Sequence, residues 1–552
     1  MSQNANERPG SLVRRALVFA RRYGLRAVPR ALDKLCLRLF YDYDRDWGRL
    51  LCPGEAELAR QRSAPPPAGL ISVLVPVYNT DPAMLRALVD SLLAQTYPHW
   101  EACLYDDRSP KPEIAPLLRE QAQRDGRIRI FCGERNQGIS GSTNSAAAEA
   151  RGEWLALLDH DDLLTPDALF CLAQTIVQQQ PDLIYSDEDK ISEDGAHYEM
   201  PHLKPDFCPD NLRSGNYFCH FMALRRSLYE QVGGLRAAFN GSQDHDLALR
   251  CIERTQKIAH IPRVLYHWRV VGSSVSHSNI MKCVDASARA VQEHIGRIGW
   301  PGEVTYDEFG TLRLHYAIPG DPLVSVLCAQ ESLSPQALRA FGRRRVEFLG
   351  VPAQGNRWAA LNSAARRAKG NYLLLLDPSA APLTEGFLDE LLMYAQRDDV
   401  GAVTPLMWDR RGRITHAGFA VGMRGGALCR EEGSNREIFG WHSMLKKSHN
   451  VAAVSAACAL IRRDHFLPFD ERFSGGLCAV EWCIRLQKAG LRHVYTPHAA
   501  AQCENRQLLL LGRRRNARDL SMLASLHGGA LHDPCYSPLF SRSKADGRIR
   551  RR

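Results

Sequence analysis

Three acids stand together where an apolar run ends. Trp154-Leu155-Ala156-Leu157-Leu158 is followed directly by Asp159-His160-Asp161-Asp162. A continuous apolar run of this length suits a strand covered on both faces, as in a parallel α/β sheet. Ligands of such sheets bind outside the carboxyl ends of the strands, where these carboxylates would sit. Crowded carboxylates repel one another unless protons or a cation relieve them. Their hard oxygens suit Mg2+ or Mn2+, with a bound diphosphate completing the coordination. The same residues also read as an acidic turn ahead of a helix starting near Thr165-Pro166-Asp167.

Other strand ends turn polar in the same way. Pro76-Val77-Tyr78-Asn79 leaves the first strand with backbone groups, an aromatic face and an amide, which suit a planar base with its ribose. Asp106-Asp107 with Ser109 ends the second strand, and a carboxylate there can accept the imide N–H of uracil or thymine. Asn136-Gln137-Gly138-Ile139 follows the third, where glycine permits close backbone approach. Turn residues are expected at any strand end, so the signal lies in four successive ends on one sheet edge.

Ser242-Gln243-Asp244-His245-Asp246 opens a helical run. An acid there reads either as a cap favoured by the helix dipole or as a base that deprotonates an attacking hydroxyl. His267-Trp268-Arg269 follows a strand-like segment; it offers a histidine near a metal or diphosphate and an arginine for phosphate charge, or simply a buried Trp beside a surface Arg.

The elements that would position these residues alternate as strand and helix. Ile71–Val75, Glu101–Tyr105, Ile128–Cys132 and Trp154–Leu158 are separated by helical segments such as Pro82–Ala94 and Ser142–Ala150, the rhythm of a parallel sheet. A second block starts near Leu323-Val324-Ser325-Val326-Leu327 and echoes the first. Asn144-Ser145-Ala146-Ala147 leading to Gly152 and Asp159 matches Asn362-Ser363-Ala364-Ala365 leading to Gly370 and Asp377. Asp244–Arg250 matches Ala479–Arg485. The chain reads as a tandem duplication. The copies differ at the acids: Asp159, Asp161 and Asp162 align with Asp377, Ser379 and Ala380, Asp244 with Ala479, and His267 with Gln502. Joint loss of acids from a copy that keeps its scaffold marks the first set as functional.

The 552 residues are enough for two or three domains, and a composition 45% hydrophobic and 24% charged is that of a globular protein. No apolar stretch approaches the ~20 residues of a membrane span and no secretory signal is visible. Sixteen cysteines without Cys-x-x-Cys spacing argue against zinc knuckles or a disulfide scaffold, so a reduced, cytoplasmic protein is expected. The net charge of +10 lies at the ends, about +6 in residues 1–50 and about +8 in 505–552. Residues 12–23 read as a basic amphipathic helix, suited either to an anionic membrane surface or to packing on its own protein with the basic face solvated. No motif or aromatic stacking pattern for nucleic acid accompanies the basic residues, and none is expected to bind. The expected organisation is a basic helical region with a Pro-rich linker (1–69), a catalytic domain (70–305), a linker (306–322), a degenerate second domain (323–505) and a basic tail (506–552). His532-Asp533-Pro534-Cys535-Tyr536-Ser537-Pro538 in that tail has no assigned role.

Taken together, Pro76–Asn79, Asp107, Asn136 with Gly138, Asp159–Asp162, Tyr185-Ser186-Asp187-Glu188-Asp189-Lys190 and Ser242–Asp246 resemble the family 2 glycosyltransferases of GT-A fold, above all bacterial enzymes building O-antigen and related surface glycans. The resemblance covers residues 70–275, and block 323–505 resembles a further, degenerate domain of this kind. It implies an α/β GT-A (Rossmann-like) fold and an inverting, non-processive transferase of hexosyl or deoxyhexosyl units. The donor would be a nucleotide sugar, UDP- or dTDP-linked, and the acceptor a hydroxyl of a glycan or lipid-linked glycan at the inner face of the cytoplasmic membrane. Carried over residue by residue, Asp244 is the general base. Asp159 and Asp161 hold Mg2+ or Mn2+, Asp161 the more directly. Nucleotide-sugar contacts fall to Pro76, Tyr78, Asn79, Asp107, Asn136, Gly138, Asn144, Asp159, His160, Asp161, His267 and Arg269. Lys204, Asn216 and His220 lie in the stretch that would approach donor sugar or acceptor. The chain departs from the family pattern in having Gln243 before Asp244, and His267-Trp268-Arg269 where processive relatives carry Gln-x-x-Arg-Trp. A sugar-phosphate nucleotidylyltransferase would instead show a glycine-rich basic loop after the first strand, and a non-catalytic glycan-binding or assembly protein would not need the intact acids.

Overall fold

The computed structural model describes residues 53–271, 280–352, 354–504, 517–528 and 531–550. The basic helix expected over residues 12–23 lies outside them. Strands β1 (Ile71–Val77), β2 (Trp100–Asp106), β3 (Ile128–Cys132) and β4 (Trp154–Leu157) are parallel. With β5 (Leu163–Leu164), β6 (Leu183–Ile191), β7 (Tyr198–His202), β8 (Met222–Arg225) and β9 (Ile258–Arg269) they form one sheet, in the order β3-β2-β1-β4-β8-β6-β9-β5 with β7 on the edge of β6. β8 runs antiparallel to both neighbours, and β6 and β9 are parallel. Every residue of β1 is buried, as its unbroken apolar run requires in a sheet covered on both faces. The first helix, Pro82–Leu93, starts where Asp81 accepts hydrogen bonds from Ala83 N (2.8 Å) and Met84 N (3.4 Å), with proline at its first position.

The hairpin of β10 (Gly302–Tyr306) and β11 (Leu312–Tyr316) follows. Residues 306–322 are therefore not a plain linker: β11 falls within them, and Tyr316 packs edge-on against Trp300 and Tyr394.

The second sheet is built from β12 (Val324–Leu327), β13 (Val346–Phe348), β14 (Tyr372–Leu376), β15 (Ala381–Pro382), β16 (Val400–Trp408) and β17 (Ile414–His416). After the hairpin β18 (Phe419–Met423) and β19 (Gly426–Cys429), the strands β20 (His449–Val451), β21 (Cys458–Arg462) and β22 (Arg492–Gln502) complete it. Its order, β13-β12-β14-β21-β16-β22-β15, repeats the first sheet with β21 again antiparallel. Two differences stand out among the described residues. β3 has no counterpart, which accounts for the shorter stretch before the second copy's acidic turn, and β20 on β22 has no equivalent in the first sheet.

One packing device recurs in both copies. Ser72 Oγ donates to Glu101 (2.7 Å) and accepts from Gly152 N (2.8 Å); Ser325 Oγ donates to Glu347 and accepts from Gly370 N (2.8 Å). A Cβ on Gly152 would stand 2.6 Å from Leu70 O, and one on Gly370 2.7 Å from Leu323 O, so only glycine fits at either place.

A buried polar joint fixes the two units together. The Asp210 carboxylate meets Arg397 (2.5 Å), Arg213 (3.1 Å) and Asn450 Nδ2 (2.8 Å), while Asp210 N donates to Asn450 Oδ1 (2.9 Å). Asn450 N donates to Asn211 Oδ1 (2.9 Å) and Ser214 Oγ to Ser448 O (2.5 Å), so the short helix Pro209–Arg213 is pinned along β20. The described residues 517–528 and 531–550 pack onto this body. Asp519 accepts from Gly475 N (2.8 Å), Asp206 N donates to Pro534 O (2.9 Å), and Arg430 Nη2 donates to Cys535 O (2.6 Å).

Removing one partner of a buried ion pair leaves an uncompensated charge. Arg397→Met is therefore expected to destabilise the folded chain by about 3–5 kcal/mol, read as a lowered denaturation midpoint. A loss below about 1 kcal/mol would show that the joint does not depend on Arg397.

Candidate active site

The acids after β4 sit at the carboxyl edge of the first sheet, and the neighbouring strand β9 organises them. Tyr266 donates its hydroxyl to Asp162 Oδ2, and Arg269 N donates to Asp162 Oδ1 (2.7 Å). Asp162 is buried, and burial pushes its carboxyl well above the usual range. It ties the acidic turn to β9 and has little left for a ligand.

Asp159 is different. Its carboxylate accepts no hydrogen bond among the described residues, and its ligand oxygen lies within 4.8 Å of those of Asp162 and His220. Burial raises its pKa, His220 opposes the rise, and the charges of Asp161 and Asp244 add to it. Asp161 stands beside this group with its side chain 29% exposed, 4.0 Å from His160 Nδ1, which itself has no hydrogen-bond partner. A half-buried carboxylate that takes no hydrogen bond among the described residues, next to a second partly exposed one, is a donor set that fits a hard divalent cation.

The cluster includes a residue whose role the chain pattern did not reveal. His220 lies 3.5 Å from Glu188 Oε2 and stacks against Tyr266 and Trp268, with ring centroids 5.2 and 4.7 Å away. Burial works against its imidazolium, but Glu188, Asp162 and Asp159 outweigh burial and raise its pKa to about 9. Glu188 is held well below its ordinary range against the effect of burial, by Lys204 and His220. Lys204 is fully buried, donating to Glu188 (3.0 Å), Ser186 O (2.6 Å) and Phe218 O (2.7 Å).

Asp244 occupies the first turn of the helix Gln243–Ile252. Asn216 Nδ2 donates to its Oδ2 (2.6 Å), and Oδ1 takes no hydrogen bond among the described residues. One oxygen is anchored and the other remains open to a proton. The next two acids and bases belong to the scaffold: His245 is buried between Ser287 Oγ and Leu212 O (2.7 Å each), and Asp246 pairs with Arg236 and Arg250. The second copy keeps the last pairing as Glu481 with Arg485 (2.9 Å).

The nucleotide-side residues divide into two groups. Tyr78 is 43% exposed at the end of β1, where its ring is open to a planar ligand. Asn79, at φ 50°, binds through Ser109 Oγ (2.9 Å) and Lys111, and Pro76 is buried inside β1. Asn136 is exposed and accepts from Gly138 N (3.0 Å); Gly138, at φ 72°, has the left-handed backbone that glycine favours. His267 Nδ1 lies 2.5 Å from Asp189 and its ring packs against Tyr198.

Three of the residues expected at the nucleotide sugar have partners within the chain itself. Asp107 is 1% exposed, and its two oxygens accept Gln137 N and Gly138 N (2.8 Å each), so it braces the loop after β3 instead of presenting a free carboxylate to a base. Arg269 is 3% exposed and donates to the carbonyls of Asp161 (2.7 Å) and Glu193 (2.9 Å), which ties its guanidinium to the acidic turn. Asn144 spends its amide on the chain itself. Nδ2 donates to Leu235 O (2.8 Å), while Oδ1 accepts from Leu235 N (2.9 Å) and Tyr229 (2.6 Å). Asn362 repeats this with Phe469 O (2.9 Å) and Phe469 N (2.8 Å), in the copy without the acids. In that copy Arg357 also neutralises the one remaining acid, Asp377, at 2.9 Å.

The sheet order and the acids along its carboxyl edge define a GT-A type of α/β domain. Residues 72–233 match the model of glycosyl transferase family 2, and this segment is a family 2 glycosyltransferase domain. The chain is 35% identical over 507 residues to the uncharacterized protein y4gI of Sinorhizobium fredii, covering 82% of this chain and 55% of that one. It is also 35% identical over 471 residues to the O-antigen biosynthesis protein RfbC of Myxococcus xanthus, covering 77% and 36%. The chain thus spans about half or less of the length of these curated relatives. Among solved structures, S. aureus TarS 1-349 in complex with UDP-GlcNAc aligns at 18% identity and a TM-score of 0.34, over 41% of this chain and 66% of that one.

If Asn144 and Asn362 are equivalent structural staples, Asn144→Ala and Asn362→Ala each destabilise by about 1–3 kcal/mol, the range for stranded buried partners. Nucleotide affinity of the Asn144→Ala protein, measured by calorimetry, is expected to stay unchanged. Lost affinity at unchanged stability would return Asn144 to the ligand.

Proposed function

We propose that the chain transfers a sugar from a nucleoside diphosphate sugar, UDP- or dTDP-linked, to a hydroxyl of a bacterial surface-glycan precursor of the O-antigen, lipopolysaccharide or capsule type. The observation that carries this reading is Asp244, anchored by Asn216 with one oxygen open, acting on the same cleft as the unsatisfied Asp159. The similarity to RfbC, whose name states O-antigen biosynthesis, supports the acceptor class.

In this reading Asp244 Oδ1 takes the proton of the acceptor hydroxyl as the oxygen attacks the anomeric carbon. The bond from that carbon to the diphosphate oxygen breaks on the opposite face, so configuration inverts and the nucleoside diphosphate leaves with the bonding pair. Mg2+ or Mn2+ held by Asp159 and Asp161 would supply charge neutralisation for the leaving diphosphate. Tyr78 would cover the base, and Asn136 and Gly138 would line its approach. His160 and His267 flank the diphosphate end. Asp162, Tyr266 and Arg269 hold the turn in shape, and His220 sets its electrostatics. Release after each transfer, without processive extension, follows the proposal that His267-Trp268-Arg269 stands where a polymerase motif would be. No helix among the described residues is long and apolar enough to cross a membrane. The basic stretches within 1–50 and 505–552 are proposed to place the protein on the anionic inner face of the cytoplasmic membrane.

Asp244→Asn is expected to lower turnover by about 10²–10⁴-fold, the usual contribution of a positioned base, with nucleotide binding retained. Unchanged turnover would remove Asp244 from this role. A thermal-shift panel of UDP, dTDP and GDP with and without Mn2+ tests the donor side. A nucleotide at 100 times its Kd should add about 2.7 kcal/mol of stability, and Asp159→Asn should abolish the part that depends on Mn2+. No metal-dependent shift with any nucleotide would count decisively against the metal reading.

A further inference from the structure

The second unit places a lysine beside the segment of the first unit that anchors Asp244. Lys447 follows the turn Trp441–Lys446 and directly precedes Ser448, whose carbonyl takes the Ser214 hydroxyl. Its Nζ lies beside Gly215, where an added Cβ would stand 3.3 Å from it. The next residue, Asn216, holds Asp244. Nζ makes no hydrogen bond or ion pair among the described residues, although the side chain is half-buried. Cys219, Asp307 and the His442 and His245 imidazoles face this region, and none of them supplies a bound anion.

The turn that carries Lys447 is itself held against the first unit. The His442 ring stacks on His202 at 4.0 Å, and its Nε2 lies 3.2 Å from Pro201 O. His442 and Ser443 take positive φ values of 47° and 62°, a conformation kept only where surrounding contacts enforce it.

We propose that Lys447 is the anion-recognising residue on the acceptor side of the cleft, so that the acceptor carries an anionic oxygen group, a carboxylate or a phosphate, next to the hydroxyl that reacts. This rests on the transferase reading above. A partly desolvated ammonium without a counter-charge is unfavourable, and a ligand anion brought beside it gains a charge-assisted hydrogen bond. The position favours the acceptor over the donor diphosphate, because Lys447 lies beside Gly215, next in the chain to the asparagine that holds Asp244, whereas the diphosphate belongs at the Asp159 end. Burial lowers the Lys447 ammonium, with Cys219 and Asp307 opposing the shift.

The test uses the full chain with saturating UDP and Mn2+, and titrates D-glucuronate, glucose 6-phosphate and neutral glucose by calorimetry or saturation-transfer NMR. Wild-type protein is expected to bind at least one of the anions about tenfold or more tightly than glucose. Preference for glucuronate identifies a carboxylate and preference for glucose 6-phosphate identifies a phosphate. Lys447→Gln should erase the preference and Lys447→Arg should keep it. UDP affinity should be the same in all three proteins, and the melting temperature of Lys447→Gln should equal or exceed the wild type, since Nζ has no bond to lose. Nucleotide binding without any anion preference in the wild type overturns this inference alone. So does a preference that survives Lys447→Gln, or an equal loss of UDP affinity in that variant. Failure of every nucleotide to bind sinks the transferase reading and this inference with it.

Discussion

Mutual repulsion among carboxylates at one sheet edge sets what the rest of the first unit must supply. Asp159, Asp161 and Asp162 follow one strand, and Asp244 adds its charge from another element. The chain resolves this unevenly. Asp162 is satisfied by Tyr266 and the backbone of Arg269. Asp159 is left without a donor, facing a histidine whose charge is maintained by Glu188 behind it. That histidine is supported by a fully buried lysine, so a cation–anion–cation–anion relay runs from Lys204 through Glu188 and His220 to Asp159. Buried charges of this kind are tolerable only as a connected set, because removing any member leaves its neighbour unpaired.

The duplicated unit separates scaffold from chemistry in a way a single domain cannot. The Ser–Glu–Gly staple, the asparagine that clasps a later backbone residue, and the acid–arginine pair one helical turn apart occur in both copies with nearly the same distances. What the second copy loses is Asp161, Asp162, Asp244 and His267. The acid that it keeps, Asp377, is closed off by Arg357. A carboxylate with an arginine across it has no unmet need for a metal.

The alternation of strands and helices, the Asp81-Pro82 helix start and the repeat were all readable from local pattern, because each depends on residues near in the chain. The acids' place at a sheet edge was readable too, since it follows from the strand that precedes them. Roles that depend on distant partners were not. Asn144 carries a repeat motif, but the residue that decides its role, Leu235, is 91 positions away. Arg269 looked like a phosphate ligand because arginine often is one; only the folded chain shows its guanidinium turned to backbone carbonyls. The partnership of His220 with Trp268 and Glu188 arises from three strand regions meeting and leaves no spacing signature.

The junction between the units explains why a copy without acids can still bear on the site. β20 has no counterpart in the first sheet among the described residues, so it is a feature of the second unit alone. It is also the strand that engages Pro209–Arg213, through Asn450 with Asp210 and Asn211, and the residues flanking the two elements, Ser448 and Ser214, pair beside them. Those bonds fix register residue by residue. With Ser448 opposite Ser214, Lys447 has to lie at Gly215, one position from the asparagine that anchors Asp244. A surface joined only by apolar contact would tolerate sliding; paired backbone and amide hydrogen bonds in a buried joint do not, because each shift strands a donor or acceptor. β20 therefore does more than fasten two units: it determines which side chain the second unit presents beside Gly215 and Asn216.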